Sequence, residues 1–202
     1  FSLPPYNFFI INFFTFSLLF IFIFKKKLKY FNKKIFFFKY GWFFGFGYFL
    51  ASLYWISIAL TFDESFKFLI PVGLILVPSF LAIFYGLVTY LFFKYKSKNA
   101  IELFFLFCTL FGILEFLRGN ILTGFPWNLI AYSFSESIKF IQIISSIGTY
   151  SFNLLCISIF SCPALIILKR SRLNFLIILI FFLLSVIFYI FGFNQINKFS
   201  LI

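Results

Sequence analysis

The feature that most constrains this chain is the spacing of its apolar runs. Six stretches, residues 8–24, 40–62, 68–93, 100–117, 140–168 and 174–193, alternate with short connections that hold nearly all of the charge. A helix rising 1.5 Å per residue needs about 20 apolar residues to cross roughly 30 Å of hydrocarbon, so each stretch is a candidate membrane span. The third and fifth are longer than that requirement and are expected to tilt or overhang the interface. Pro71, Pro78 and Pro163 fall within them, where membrane helices tolerate a kink. The predicted fold is therefore all-α, a polytopic transmembrane helix bundle of about six spans, with no internal repeat.

The basic residues then predict sidedness. The connections after spans one, three and five hold Lys25, Lys26, Lys27, Lys29, Lys33, Lys34 and Lys39, then Lys94, Lys96 and Lys98, then Lys169, Arg170 and Arg172. The opposite connections hold only Lys67, Arg118, Lys139 and Lys198. This split, alternating through all six spans, fits the positive-inside rule and predicts that both ends of the chain lie outside the cytoplasm, on the periplasmic side of a bacterial inner membrane. The run at 8–24 leads into lysines without a small-residue cleavage site, so it does not read as a signal peptide.

Composition narrows the function classes. A chain that is 63% hydrophobic and 11% charged, with a mean hydropathy of +1.10, has the make-up of a membrane protein. Its net charge of +12 sits in topology signals between spans, so no nucleic-acid partner is implied. The 41 Phe reflect compositional bias, with most rings expected to face lipid or neighbouring helices. His is absent, which removes the commonest general base and metal ligand. Cys108, Cys156 and Cys162 lie inside apolar runs and form no ligand pattern, and buried thiols of this kind are inert. Neither a metal nor an organic cofactor is suggested. The chain begins at Phe1 and contains no Met, so it is expected to be part of a longer protein. After the last run, "NQINKFSLI" reads as a polar spacer entering a β-strand, which divides the chain into a membrane domain, 1–193, and a linker to a further domain, 194–202.

The connection that carries chemical information is "EFLRGNILTGFPWNLIAYSFSE", residues 115–136. Between Arg118 and Glu136 no residue is charged, although connections normally run through water and are polar. Glu115 and Arg118 are three apart, hence neighbours on one helix face. An unpaired charge deep in hydrocarbon costs about 2–3 kcal/mol, which pairing offsets. Two readings of the pair stay open: a snorkelling interfacial ion pair, or an Arg that meets a lipid phosphate. Gly124 permits unusual backbone angles and Pro126 fixes its own φ while pushing Phe125 toward an extended shape, so a rigid bend is expected. Phe125 and Trp127 would project from it at headgroup depth, either as belt anchors or as the wall of an entrance for acyl chains.

The stretch "EFLRGNILTGFPWNLIAYS" resembles the membrane part of bacterial apolipoprotein N-acyltransferases, which carry a similar E-x-L-R-G…L-T-G-F-P-W…Y-S pattern. "FSLPPYNFF" and "GWFFGFGYFLASLYWISIAL" are similar to that family's early segment and to its helix rich in Gly and aromatic residues, in the expected order. Asn120 and Asn128 stand where members vary, and Phe replaces many Leu and Ala. The resemblance implies a bundle of about eight helices supporting an extracytoplasmic nitrilase-like domain that lies outside this chain. It also implies the reaction: a Glu, Lys and Cys triad in that domain takes an acyl chain from a membrane phospholipid as a thioester and passes it to the N-terminal amine of a diacylated apolipoprotein. No catalytic residue can be placed among these 202.

What remains for this chain is to present lipid. Phe125, Pro126 and Trp127 are expected on the rim of a cavity open to the outer leaflet, Arg118, paired with Glu115, is expected to orient an anionic headgroup or brace the loop, and Tyr132 and Trp55 are expected to complete an interfacial ring. A six-helix transporter or channel subunit is the alternative. It would want ionisable groups along a pathway, and apart from Glu102 and Glu115, both near helix ends, the spans offer none.

Overall fold

The computed structural model describes residues 2–4, 6–29, 34–59, 61–121 and 124–199. Every regular element among these residues is helical. In chain order they are α1 (Ile10–Lys29), α2 (Lys34–Leu53), α3 (Ile56–Ala59), a 3-10 turn (Glu64–Leu69) leading into α4 (Ile70–Lys94), α5 (Ala100–Asn120), a second 3-10 turn (Ile130–Phe134), α6 (Ile138–Ile141), α7 (Ile144–Ile147), α8 (Thr149–Ser161), α9 (Pro163–Leu168) and α10 (Arg172–Phe199). Four stretches, Lys67–Lys94, Ala100–Asn120, Thr149–Leu168 and Arg172–Lys198, are long and apolar enough to cross a membrane by length and composition. Helices α1 and α2, of 20 residues each, carry lysines at their ends and complete the bundle.

Several boundaries differ from the sequence expectation. The second run does not continue to residue 62 as one helix: α2 begins at Lys34, since long lysine side chains can reach out of an apolar helix, and it stops at Leu53. Asn128 Nδ2 donates to Ser52 O (3.1 Å), one of the carbonyls that a helix end leaves without an intrahelical partner. The fifth run is a span only from Thr149. Before it, α6 and α7 are single turns, and Gly148 at φ +80° separates them from α8. The last helix continues through Phe199 instead of ending at Phe193, so residues 194–199, expected to be a polar spacer entering a strand, are helical, and residues 200–202 lie outside the described residues. Pro71 and Pro163 occupy first turns, where the missing N–H costs nothing, and only Pro78 sits inside a helix.

Packing follows from where the small residues fall. Gly41 and Gly45, four apart on α2, face α4; a Cβ on Gly41 would sit 2.2 Å from Tyr85 O, and one on Gly45 would sit 2.8 Å from Tyr85 Cβ. Small residues at this spacing let membrane helices approach at backbone distance. Thr89 Oγ1 then donates to Phe37 O (2.6 Å) across the seam. Between these helices and α1 and α5, Phe20 packs its ring against those of Phe92, Phe104 and Phe107 at 6.1, 6.0 and 5.3 Å. Other phenylalanines, including Phe14, Phe43, Phe175 and Phe182, are exposed on the outside of the bundle. Helix α10 docks on α6 through Gly192, which lies against Lys139 O, while Lys139 Nζ lies over the Tyr189 and Phe193 rings.

Candidate functional site

At the C-terminal end of α5 the residues of the apolar connection form a compact lip. Glu115 and Arg118 are both buried, with their side chains 1% and 0% exposed, and Arg118 Nη2 donates to Glu115 Oε2 (2.5 Å). The other end of the guanidinium turns to the backbone: Nη1 donates to Phe125 O (2.7 Å) and Trp127 O (2.9 Å). Its planar face covers the Phe49 ring at 5.2 Å. Arginine suits this position because its fork spreads several fixed donors over separate acceptors while stacking on an aromatic ring. In this structure Nη2 is spent on the Glu115 carboxylate within α5, and Nη1 on the two loop carbonyls.

The backbone closes the same turn. Gly124 N donates to Ile121 O (2.9 Å) and Phe125 N to Arg118 O (2.9 Å). Gly124 has φ +72°, and a Cβ there would lie 2.6 Å from Gly119 O, so both conformation and space require glycine. A Cβ on Gly119 would meet the Tyr150 hydroxyl, so that side chain packs directly against the α5 backbone there. Leu122 and Thr123, part of the motif quoted above, lie outside the described residues.

Asn128, which the sequence reading passed over as a variable position, fastens the far end of the lip. It adopts φ +60°, a region that Asn tolerates better than most residues. Its carbonyl accepts from the Tyr48 hydroxyl (2.9 Å), and its side chain caps Ser52 as described. Beyond it, Ala131 N donates to Asn153 Oδ1 (2.9 Å) on α8. The lip is thus tied to α2, α5 and α8. Tyr48 and Tyr85, also missed from sequence, lie close enough to Glu115 and Arg118 to interact with their charges. Nothing local in the sequence marked Asn128 or the tyrosines, because the residues they meet are distant in the chain, 76 and 80 positions away for Asn128.

The remaining candidates sit around this brace. Pro126 is exposed, Trp127 is 59% exposed and Phe125 is half-buried, packed against the core. Trp55 is exposed in the turn between α2 and α3, three residues beyond the Ser52 carbonyl that Asn128 holds. Tyr132 is half-buried in the second 3-10 turn, and that burial raises the pKa of its hydroxyl. A groove of about 320 Å³ runs between α4 and the lip, lined by Leu76, Phe80 and Phe84 on one side and by Ile121, Gly124 and Phe125 on the other. Phe125 therefore forms part of a cavity wall, whereas Pro126, Trp127, Trp55 and Tyr132 do not line that groove. The three cysteines are buried, Cys108 in α5, Cys156 in α8 and Cys162 at the α8–α9 junction.

Fold and site define a multi-pass helical membrane protein with an apolar connection locked by a buried ion pair. A family model described as the apolipoprotein N-acyltransferase N-terminal domain matches residues 1–162, and the chain belongs to that family. Among its relatives, the apolipoprotein N-acyltransferase of Rhodopseudomonas palustris is 37% identical over 116 residues, 57% of this chain and 22% of the relative. That of Rickettsia prowazekii is 37% identical over 122 residues, covering 60% and 24%. That of Agrobacterium fabrum is 34% identical over 180 residues, covering 84% and 33%. The chain thus spans between about a fifth and a third of the length of the relatives it matches. The family and the helices place it in a bacterial inner membrane.

Proposed function

We propose that this chain is the membrane part of an acyltransferase that moves an acyl chain from a phospholipid to the N-terminal amine of a diacylated lipoprotein through a thioester, and that its own task is to present lipid. In this reading the thioester forms on a nitrilase-like domain beyond these residues, on the side of the membrane where the lip lies. A thiolate nucleophile needs a base or cation beside it, and Cys108, Cys156 and Cys162 are instead buried among apolar helices.

The observation that carries the proposal is the braced lip beside an apolar groove. Drawing a lipid ester up to a nucleophile outside the bilayer would expose acyl chain at about 0.8 kcal/mol per CH₂. A groove walled by Leu76 and Phe80 of α4 and by Phe125 of the lip keeps the chain covered while its ester rises to the surface. Fixing Phe125 through Arg118 keeps that wall from collapsing inward. Exposed Trp127 and Trp55 then anchor the rim at headgroup depth.

The test is acyl transfer by the full-length protein in phospholipid vesicles carrying a labelled acyl chain. Phe125→Ala and Trp127→Ala are expected to slow transfer to a diacylated peptide while membrane insertion is unchanged. Unchanged turnover in both variants would remove the presenting role.

A further inference from the structure

A second built cavity lies at the other end of α5, which at 1.5 Å per residue puts it about 30 Å from the lip. It encloses about 670 Å³ and draws Lys27 from α1, Lys34 from the start of α2, and Lys94, Lys96 and Lys98 from the end of α4 and its following connection. Five lysines from separate stretches of chain converge on one cleft. Topology signalling alone asks only that basic residues be on this side of the membrane, not that they share a cavity.

The roles within the cleft differ. Lys27 is half-buried and its Nζ donates to Phe92 O (3.0 Å) and Phe93 O (2.8 Å), so it closes the end of α4 and forms the floor. Lys94 Nζ lies over the Tyr90 ring at 5.1 Å. Lys34, Lys96 and Lys98 are exposed and make no ion pair among the described residues. The carboxylate of Glu102, at the start of α5, is taken instead by Ser97 Oγ (2.7 Å) and Asn99 Nδ2 (3.3 Å). Those bonds, with Asn99 Oδ1 accepting from Ile101 N, order the connection that carries Lys96 and Lys98. Leu28 and Phe93 supply an apolar wall beside the charges.

A cluster of like charges held together by ordered backbone is unfavourable by itself and is relieved by an anion. Charge next to an apolar wall at a membrane surface suits a phosphate whose substituent is a lipid chain. We propose that this cleft binds the phosphate-bearing headgroup of an anionic phospholipid in the leaflet on the basic side, with the lipid chain lying along Leu28 and Phe93. This site is separate from the groove at the lip and does not depend on the acyl-transfer reading.

The experiment uses the full-length protein in nanodiscs of mixed phosphatidylglycerol and phosphatidylcholine, followed by native mass spectrometry after detergent exchange. The wild type is expected to retain phosphatidylglycerol selectively. The triple variant K34Q/K96Q/K98Q, confined to exposed side chains, is expected to lose roughly a hundredfold of that preference, since each lysine near an anionic surface contributes about fivefold. Lys67→Gln, at the opposite end, is expected to leave it unchanged. Equal retention by wild type and triple variant would overturn the proposal. Competition by inorganic phosphate without any retained lipid would overturn the lipid assignment.

Discussion

Two connections of this molecule carry an acid and a base three residues apart, and they differ in almost every other respect. In the 3-10 turn before α4, Glu64 pairs with Lys67, with side chains 90% and 50% exposed, and the side-chain bonds of the neighbouring described residues 61–65 reach only nearby backbone: Asp63 Oδ1 accepts from Ser65 N, and Thr61 Oγ1 donates to Ile58 O. At the end of α5, Glu115 pairs with Arg118, both buried, and the connection is joined to residues 76 and 80 positions away, on α2. Spacing alone does not give a pair its worth. An exposed pair gains little over its solvated partners, whereas a buried one, once broken, leaves a charge without water or counterion. The first pair decorates a turn; the second fixes the shape of one.

That contrast can be broken in graded steps, measured by thermal or denaturant unfolding of the full-length protein in detergent. Glu115→Gln, which leaves the Arg118 guanidinium buried without its counterion, is expected to destabilise by about 3–5 kcal/mol. Gly124→Ala is expected to cost about 1–3 kcal/mol, from the positive φ and from the contact with Gly119 O. Tyr48→Phe removes the donor to Asn128 O and is expected to cost about 1 kcal/mol. Lys67→Gln, in the exposed connection, is expected to change stability by no more than about 0.5 kcal/mol. If Lys67→Gln and Glu115→Gln proved equally costly, the distinction between the two connections would be wrong.

The helices and the motif were legible in the sequence because hydrophobicity at membrane length is a strong signal and because a Gly-x-Pro bend has few alternatives. The Glu115–Arg118 pair was visible from its spacing. Its depth was not, since burial depends on Phe49 and the tyrosines of helices far away in sequence. The breaks at Tyr54 and Gly148 were also hidden, because apolar residues continue through them and only Asn128 and a positive φ show where the helix stops. Asn128 was overlooked for a related reason: its value lies in one carbonyl and one amide directed at α2, and a single sequence does not display a partner. The lysines were read for sidedness alone, and their convergence on one cleft needed the fold.

Arg118 holds the lip in place, and no comparable brace is seen among the described residues of its counterpart before α4. Hydrogen–deuterium exchange in nanodiscs measures this directly, through the amides of Gly124, Phe125 and Ala131 compared with those of Phe62, Asp63 and Glu64. Strong protection of Gly124, Phe125 and Ala131 is expected in the wild type, with fast exchange at Phe62, Asp63 and Glu64, and loss of the lip's protection in Arg118→Lys, whose single ammonium cannot reproduce the fork. Equal exchange in the two connections, or a lip that stays protected in Arg118→Lys, would contradict this bracing.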